Sequence, residues 1–138
     1  MTKPIQILLA DGQPLIRVGI QTVLSAEPDM MIVAEAVDGH TAQQLSQELQ
    51  PDVLLLDLRM PKQGGFEALR WIRAMPGVKA LPVVVLSSSS LPEDLELATA
   101  LGATSYIVKP GSYQELSRIV AELLDRFGLT NRKDRPGS

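Results

Sequence analysis

The sequence predicts an α/β fold, a doubly wound five-stranded parallel sheet with five helices. Three observations predict it. Short apolar runs alternate along the chain with segments whose apolar residues recur at helical spacing. The clearest runs, Ile7-Leu8-Leu9-Ala10, Val53-Leu54-Leu55-Leu56 and Val83-Val84-Val85-Leu86, are unbroken, as expected of strands covered on both faces. Four of the runs then empty into one polar residue each: Asp11, Asp57, Ser87 and Lys109.

Taken in order, Ile5 to Ala10 is the first buried strand, ending at Asp11. Gly12-Gln13-Pro14 turns the chain, with Pro14 suited to a first helical turn. Leu15, Val18, Gly19, Thr22 and Val23 recur at helical spacing up to Pro28. Met30 to Ala36 is a strand and Asp38-Gly39 a turn. Thr41 to Leu49 is a helix with Ala42, Leu45 and Leu49 on one face. Pro51 precedes the central strand, which surfaces at Asp57 and is stopped by Pro61. Lys62-Gln63-Gly64-Gly65 is a loop, and Phe66, Leu69, Ile72 and Arg73 carry a helix to about Met75, with Trp71 off the stripe. Val83 to Leu86 opens into Ser87-Ser88-Ser89-Ser90. Ser90 with Glu93 fits a capping box and Pro92 a first turn. That helix runs to Leu101 and is closed by Gly102. Ser105 to Val108 is the last strand, followed by Lys109-Pro110-Gly111. Ser112 with Glu115 fits another capping box, and Leu116, Ile119, Val120, Leu123, Leu124 and Phe127 form the stripe of a closing helix. Residues 4–127 thus read as one domain and residues 128–138 as a polar tail or linker stub.

Composition narrows the chemistry. At 45% hydrophobic and 21% charged, 138 residues can bury a core without staples. The chain has no cysteine, which excludes disulfides, thiolate metal sites and cysteine nucleophiles. A net charge of -3 argues against this domain gripping nucleic acid. No apolar run approaches the length of a membrane span. The N-terminus shows no signal-peptide pattern, so a cytoplasmic location is expected.

In a parallel sheet the carboxyl ends of the strands share one edge, where ligands bind. Asp11, Asp57, Ser87 and Lys109 are therefore expected to line one pocket. Singly, each reads equally well as a turn or surface residue; together they suit phosphoryl transfer. A carboxylate can form an acyl phosphate. Such transfer needs positioning and charge neutralisation more than proton chemistry. Lys109 can pair with a phosphoryl oxygen, Ser87 can donate to another, and Mg²⁺ is typically held by one or two carboxylates plus waters.

Over residues 4–127 the chain resembles the response-regulator receiver domains of two-component signalling. The motifs are Leu56-Asp57-Leu58-Arg59-Met60-Pro61, the hydroxyl at Ser87, Tyr106 and Lys109-Pro110. The stretch Ala10-Asp11-Gly12-Gln13-Pro14-Leu15-Ile16-Arg17 is most similar to the branch that precedes helix-turn-helix output domains. The resemblance implies a flavodoxin-like fold of receiver type and Asp57 as phosphoacceptor. It implies Ser87 and Tyr106 as switch residues, a cis bond before Pro110, and Asp11, Asp57 and the Arg59 backbone carbonyl as Mg²⁺ ligands. It also implies a histidine kinase or phosphotransfer protein as partner, with homodimerisation among the options, and no enzyme activity beyond the domain's own phosphorylation and dephosphorylation. Without phosphate, the Tyr106 ring is expected exposed or split between two positions.

One residue departs from the pattern. Gly12 stands where the family carries a second acid that contacts Mg²⁺ directly, so weak Mg²⁺ binding is expected. The Arg59 side chain, leaning over the pocket, would be one compensation; pointing to solvent is the other outcome. Two further readings follow. An atypical receiver would act as a phosphorylation-independent protein-binding or dimerisation module, favoured by Gly12 and opposed by Asp57, Ser87 and Lys109. A flavin binder of the same winding is opposed by strand ends that carry acids instead of a glycine-rich phosphate loop.

Overall fold

The computed structural model describes residues 3–60, 64–112, 114–116 and 118–122. Residues 61–63, within the stop and loop read from the sequence, Leu123, Leu124 and Phe127 of the expected stripe, and residues 128–138 of the expected tail lie outside the described residues. The elements are β1 (Ile5–Ala10), α1 (Pro14–Leu24), β2 (Met30–Ala36), α2 (Gly39–Leu49), β3 (Val53–Asp57), α3 (Gly65–Ala74), β4 (Val83–Ser87), α4 (Pro92–Ala100) and β5 (Ser105–Val108). Residues 114–116 and 118–122 are also helical and are called α5.

All strands are parallel and the sheet order is β2-β1-β3-β4-β5. From β1 the chain winds first to β2 and then to the other side through β3. The winding therefore reverses between β1 and β3, and a crevice opens there at the carboxyl ends. The register sets Ala10 beside Leu56, Asp57 beside Leu86 and Ser87 beside Val108, which brings the four polar strand ends to one edge.

The unbroken apolar runs divide between two cores. Ile7, Leu9, Val53, Leu55, Val84 and Leu86 pack under Ile16, Ile20 and Leu24 of α1 and Leu116 and Val120 of α5. Leu8, Ala10, Leu54, Leu56, Val83 and Val85 pack under Ala42 of α2, Ala68, Leu69 and Ile72 of α3 and Ala98 of α4. Alternate residues of one strand serve opposite faces because successive Cβ atoms point to opposite sides of a sheet. Each fully buried Leu, Ile or Val contributes about 1.5–3 kcal/mol by leaving water.

One helix, α1, presents a different face from the one its spacing predicts, and in α2 the expected face of Ala42 and Leu45 packs inward while Leu49 does not. In α1 the inward residues are Ile16, Ile20 and Leu24, while Leu15 and Val18 are 66% and 58% exposed. In α2 the buried residues are Gly39, Ala42, Gln43 and Ser46, with Leu49 exposed. Both sequences carry apolar residues on two faces, and the face that packs closest on the sheet wins. In α2 that face is mostly small residues, and the cap fixes it: Asp38 accepts from Thr41 N–H at 2.7 Å, so the helix begins at Gly39.

The capping box expected at Ser90 does not form. The N-cap of α4 is Leu91, without a side-chain cap. Ser89 instead accepts from Leu91 N–H at 3.2 Å and donates to Asp94 at 2.6 Å. At Ser112 the serine half of the box forms, its Oγ accepting from Glu115 N–H at 3.1 Å. Gly102 adopts φ 100°, the left-handed turn that ends a helix most readily at glycine.

Candidate functional site

Asp11 and Asp57 end neighbouring strands, and both are buried, at 0% and 3% exposure. Lys109, just past β5, reaches across β4 to join them. Its Nζ lies 2.9 Å from Asp11 Oδ2 and 3.5 Å from Asp57 Oδ1. Every polar group of Asp11 is tied. Its N–H donates to Ala36 O at 3.0 Å. Its Oδ1 accepts from Gln13 N–H at 2.9 Å, and its carbonyl accepts from Arg17 Nη1 at 2.8 Å. Asp57 Oδ1 also accepts from the Arg59 N–H at 3.2 Å. A carboxylate taken from water needs such partners.

Burial, and secondly the charge of Asp11, push the Asp57 carboxyl up to about 6 from 3.8, against the downward pull of Lys109 and the Arg59 N–H. Asp57 is still mostly ionised at neutral pH.

Ser87 completes the edge at 1% exposure. Lys109 N–H donates to its carbonyl at 2.7 Å, which ties the last two strand ends together. Its Oγ accepts from Ser89 N–H at 3.0 Å, which leaves the hydroxyl hydrogen free to donate to an anion. A cavity of about 170 Å³ lies beside it, lined by Leu58, Arg59, Phe66, Ser87 and Asp94. Arg59 is exposed on its rim, and among the described residues the ion pair of Asp57 is with Lys109. Of the two outcomes left open for the Arg59 side chain, the structure shows the exposed one, and Arg59 contributes its backbone N–H. A larger cleft, about 470 Å³, opens at the opposite edge between Gln50–Asp52 and Pro76–Pro82, far from the acids.

Two expectations are corrected. No peptide bond among the described residues is cis, so Lys109-Pro110 is trans, the form an X-Pro bond prefers by about 0.5–1 kcal/mol. The reach of Lys109 to both acids is achieved with the trans bond. Tyr106 is not exposed: its ring is half-buried against the core below α3 and α4. Its hydroxyl donates to Ser89 O at 3.0 Å, and this bond holds the ring against the β4–α4 loop.

Sequence reasoning missed three contributors. Gly65, read as a flexible loop residue, opens α3 directly under Asp57. A Cβ there would overlap the Asp57 carbonyl oxygen and stand 2.6 Å from Leu58 Cα. Ser89 and Arg17 act through hydrogen bonds that no spacing announces. The Gly64-Gly65 pair after Pro61 was the one available signal for the first.

Two buried carboxylates and the adjoining backbone suit a divalent cation that keeps most of its waters. They do not make a full protein cage, since no cluster of three or more acidic, histidine or cysteine side chains occurs among the described residues.

Comparison with known proteins gives a consistent result. The response regulator receiver domain profile matches residues 7–121. The nitrate/nitrite response regulator protein NarL of Escherichia coli K12 is 37% identical over 116 residues, 83% of this chain and 52% of that protein. The chain spans about half the length of such curated relatives. The response regulator domain of Thermotoga maritima CheB superposes with a TM-score of 0.79 at 26% identity, covering 97% of this chain and 99% of that one. The Mn(2+)-bound form of response regulator Rcp1 gives 0.77 at 30% identity, covering 87% and 91%.

Proposed function

The chain belongs to the response regulator receiver domain family, and from that premise we propose that Asp57 accepts a phosphoryl group from a histidine kinase or phosphotransfer protein. The observation that carries this is the Lys109 ammonium held between two buried carboxylates, 2.9 Å from one and 3.5 Å from the other. In the transfer an Asp57 oxygen forms a bond to phosphorus as the bond from phosphorus to the donor's imidazole nitrogen breaks. The bonding pair returns to that nitrogen. Lys109 follows the new charge onto a phosphoryl oxygen, and the Ser87 hydroxyl donates to another. Because the same Oγ accepts from Ser89 N–H, drawing Ser87 toward the phosphoryl group pulls on Ser89, whose carbonyl holds Tyr106. The domain thereby changes shape at the β4–α4 loop.

Asp11, Asp57 and the Arg59 carbonyl would hold Mg²⁺, which supplies charge neutralisation at the phosphoryl group. The Mn(2+)-bound state of Rcp1 supports a divalent cation in this family. With Gly12 in place of a second acid, binding is weak. The negative net charge supports protein partners, a second copy of the chain among them, over nucleic acid. No helix among the described residues is long and apolar enough to cross a membrane, in keeping with action in the cytoplasm. We assign residues 4–127 to the receiver and the remainder to a tail.

The test is incubation with Mg²⁺ and a small phosphodonor, followed by intact mass. One phosphoryl increment is expected on the parent and none on Asp57→Asn; an unmodified parent would remove the reading. Gly12→Asp restores a carboxylate, so its thermal stability should rise more with Mg²⁺ than the parent's does. Equal responses would place Gly12 away from the cation.

A further inference from the structure

We infer that Arg17 is a positioning residue for the acid pocket, aiming the Asp11 carboxylate from the far side of its own backbone. The inference rests on the phosphoacceptor reading above and concerns how this chain manages with Gly12. The loop that presents Asp11 runs through a glycine, the residue with the most backbone freedom to lose. Asp11 is also the only acid besides Asp57 that reaches Lys109 among the described residues. A few tenths of an ångström of play in this loop therefore moves half of the charge that the cation or phosphoryl group must meet.

Arg17 removes that play. Its Nη1 donates to the Asp11 carbonyl at 2.8 Å, and its Nε pairs with Glu35 Oε1 at 3.2 Å. The Arg17 side chain is 18% exposed, so the guanidinium is largely withdrawn from solvent. Glu35 belongs to β2, the strand whose Ala36 carbonyl also accepts from the Asp11 N–H at 3.0 Å. The end of β2 thus grips Asp11 twice, once directly and once through Arg17. The planar fork of a guanidinium can hold a carboxylate and a carbonyl at once; a lysine ammonium is a single point on a flexible stem. Arg17 touches neither Asp57 nor Lys109, so it acts only through where it holds Asp11.

The test uses Arg17→Lys, Glu35→Ala and Glu35→Gln in the chain as it stands. Two readouts are taken: the Mg²⁺ concentration that half-saturates binding by calorimetry, and metal-free hydrogen exchange of the Gln13 amide. That amide donates to Asp11 Oδ1 at 2.9 Å. Partners that orient a metal ligand are commonly worth a factor of about 10 or more in metal affinity. Arg17→Lys and Glu35→Ala should weaken Mg²⁺ binding by about tenfold and speed Gln13 exchange. Glu35→Gln keeps an acceptor for Arg17 and should rescue both. A clamp that merely ties α1 to β2 would lower the melting temperature of the variants while leaving both readouts at the parent value, and that result overturns the inference. A variant too unstable to measure is replaced by Arg17→Met, which keeps an unbranched stem and removes every donor to the Asp11 carbonyl; Gln13 exchange at the parent rate in Arg17→Met also overturns it. Phosphorylation of the parent is scored separately, so loss of the phosphoacceptor reading and loss of this one are told apart.

Discussion

Two places that bury polar side chains, the carboxyl edge of the sheet and the inner face of α2, are built in opposite ways. At the carboxyl edge of the sheet, Asp11, Asp57 and Ser87 are buried and each is partnered. On the inner face of α2, Gln43 and Ser46 are buried, yet Gln43 Nε2 and Ser46 Oγ have no hydrogen-bond partner. The contrast shows where stability has been arranged around a purpose. At the sheet edge the buried Asp11 and Asp57 share one cation, Lys109, at 2.9 and 3.5 Å. For the α2 pair, an unmade buried hydrogen bond would cost about 1–3 kcal/mol.

The comparison can be broken most sharply at Lys109. Lys109→Met leaves two buried carboxylates facing each other without their cation. Breaking such a buried pair costs about 3–5 kcal/mol, and urea denaturation at neutral pH should show a loss of that size. The loss should shrink as pH falls and the carboxyls take up protons. A variant as stable as the parent would mean the edge is far wetter than its burial indicates.

Asp57→Asn should act in the opposite direction and less strongly. The folded-state value of about 6 against 3.8 means the folded chain binds this proton more readily than the unfolded chain does. Ionised Asp57 therefore destabilises the metal-free fold. That penalty is fully present above pH 6, declines as pH falls, and is gone below about pH 4. Asn imitates the protonated form, so it should stabilise by about 3 kcal/mol at pH 7 and by almost nothing at pH 3.5. Denaturation midpoints of both proteins across this range check the sign, and a pH-independent difference would contradict the assigned cause.

The smallest effect belongs to α2. Ser46→Ala removes an unpartnered hydroxyl from a buried helical site and should stabilise by about 1 kcal/mol. Gln44→Ala, on the exposed side of the same helix, reports the part due to helix propensity alone. Equal gains in the two variants would show that Ser46 is satisfied after all.

Strand positions and the polar residues at their ends could be read directly from the chain, because a strand buried on both faces must be apolar throughout and must stop where a charge appears. Asp11, Asp57, Ser87 and Lys109 were legible for that reason, and the parallel winding alone places them on one edge. Which face of a helix turns inward was only partly legible. In α1 both Leu15-Val18 and Ile16-Ile20-Leu24 satisfy helical spacing, and only contact with the sheet selects the second set. In α2 Ala42 and Leu45 pack inward as their spacing predicts, but Leu49 stays exposed and Gly39, Gln43 and Ser46 are buried in addition. The same limit hid the second layer of the site. Arg17 with Glu35, Ser89 with Asp94 and Tyr106, and Gly65 against Asp57 are contacts between elements brought together only by folding. The sequence by itself determined which groups can do chemistry, because burial of charge is restricted by residue type; the tertiary structure decided how they are aimed, because aim depends on distances of tenths of an ångström that periodicity does not encode.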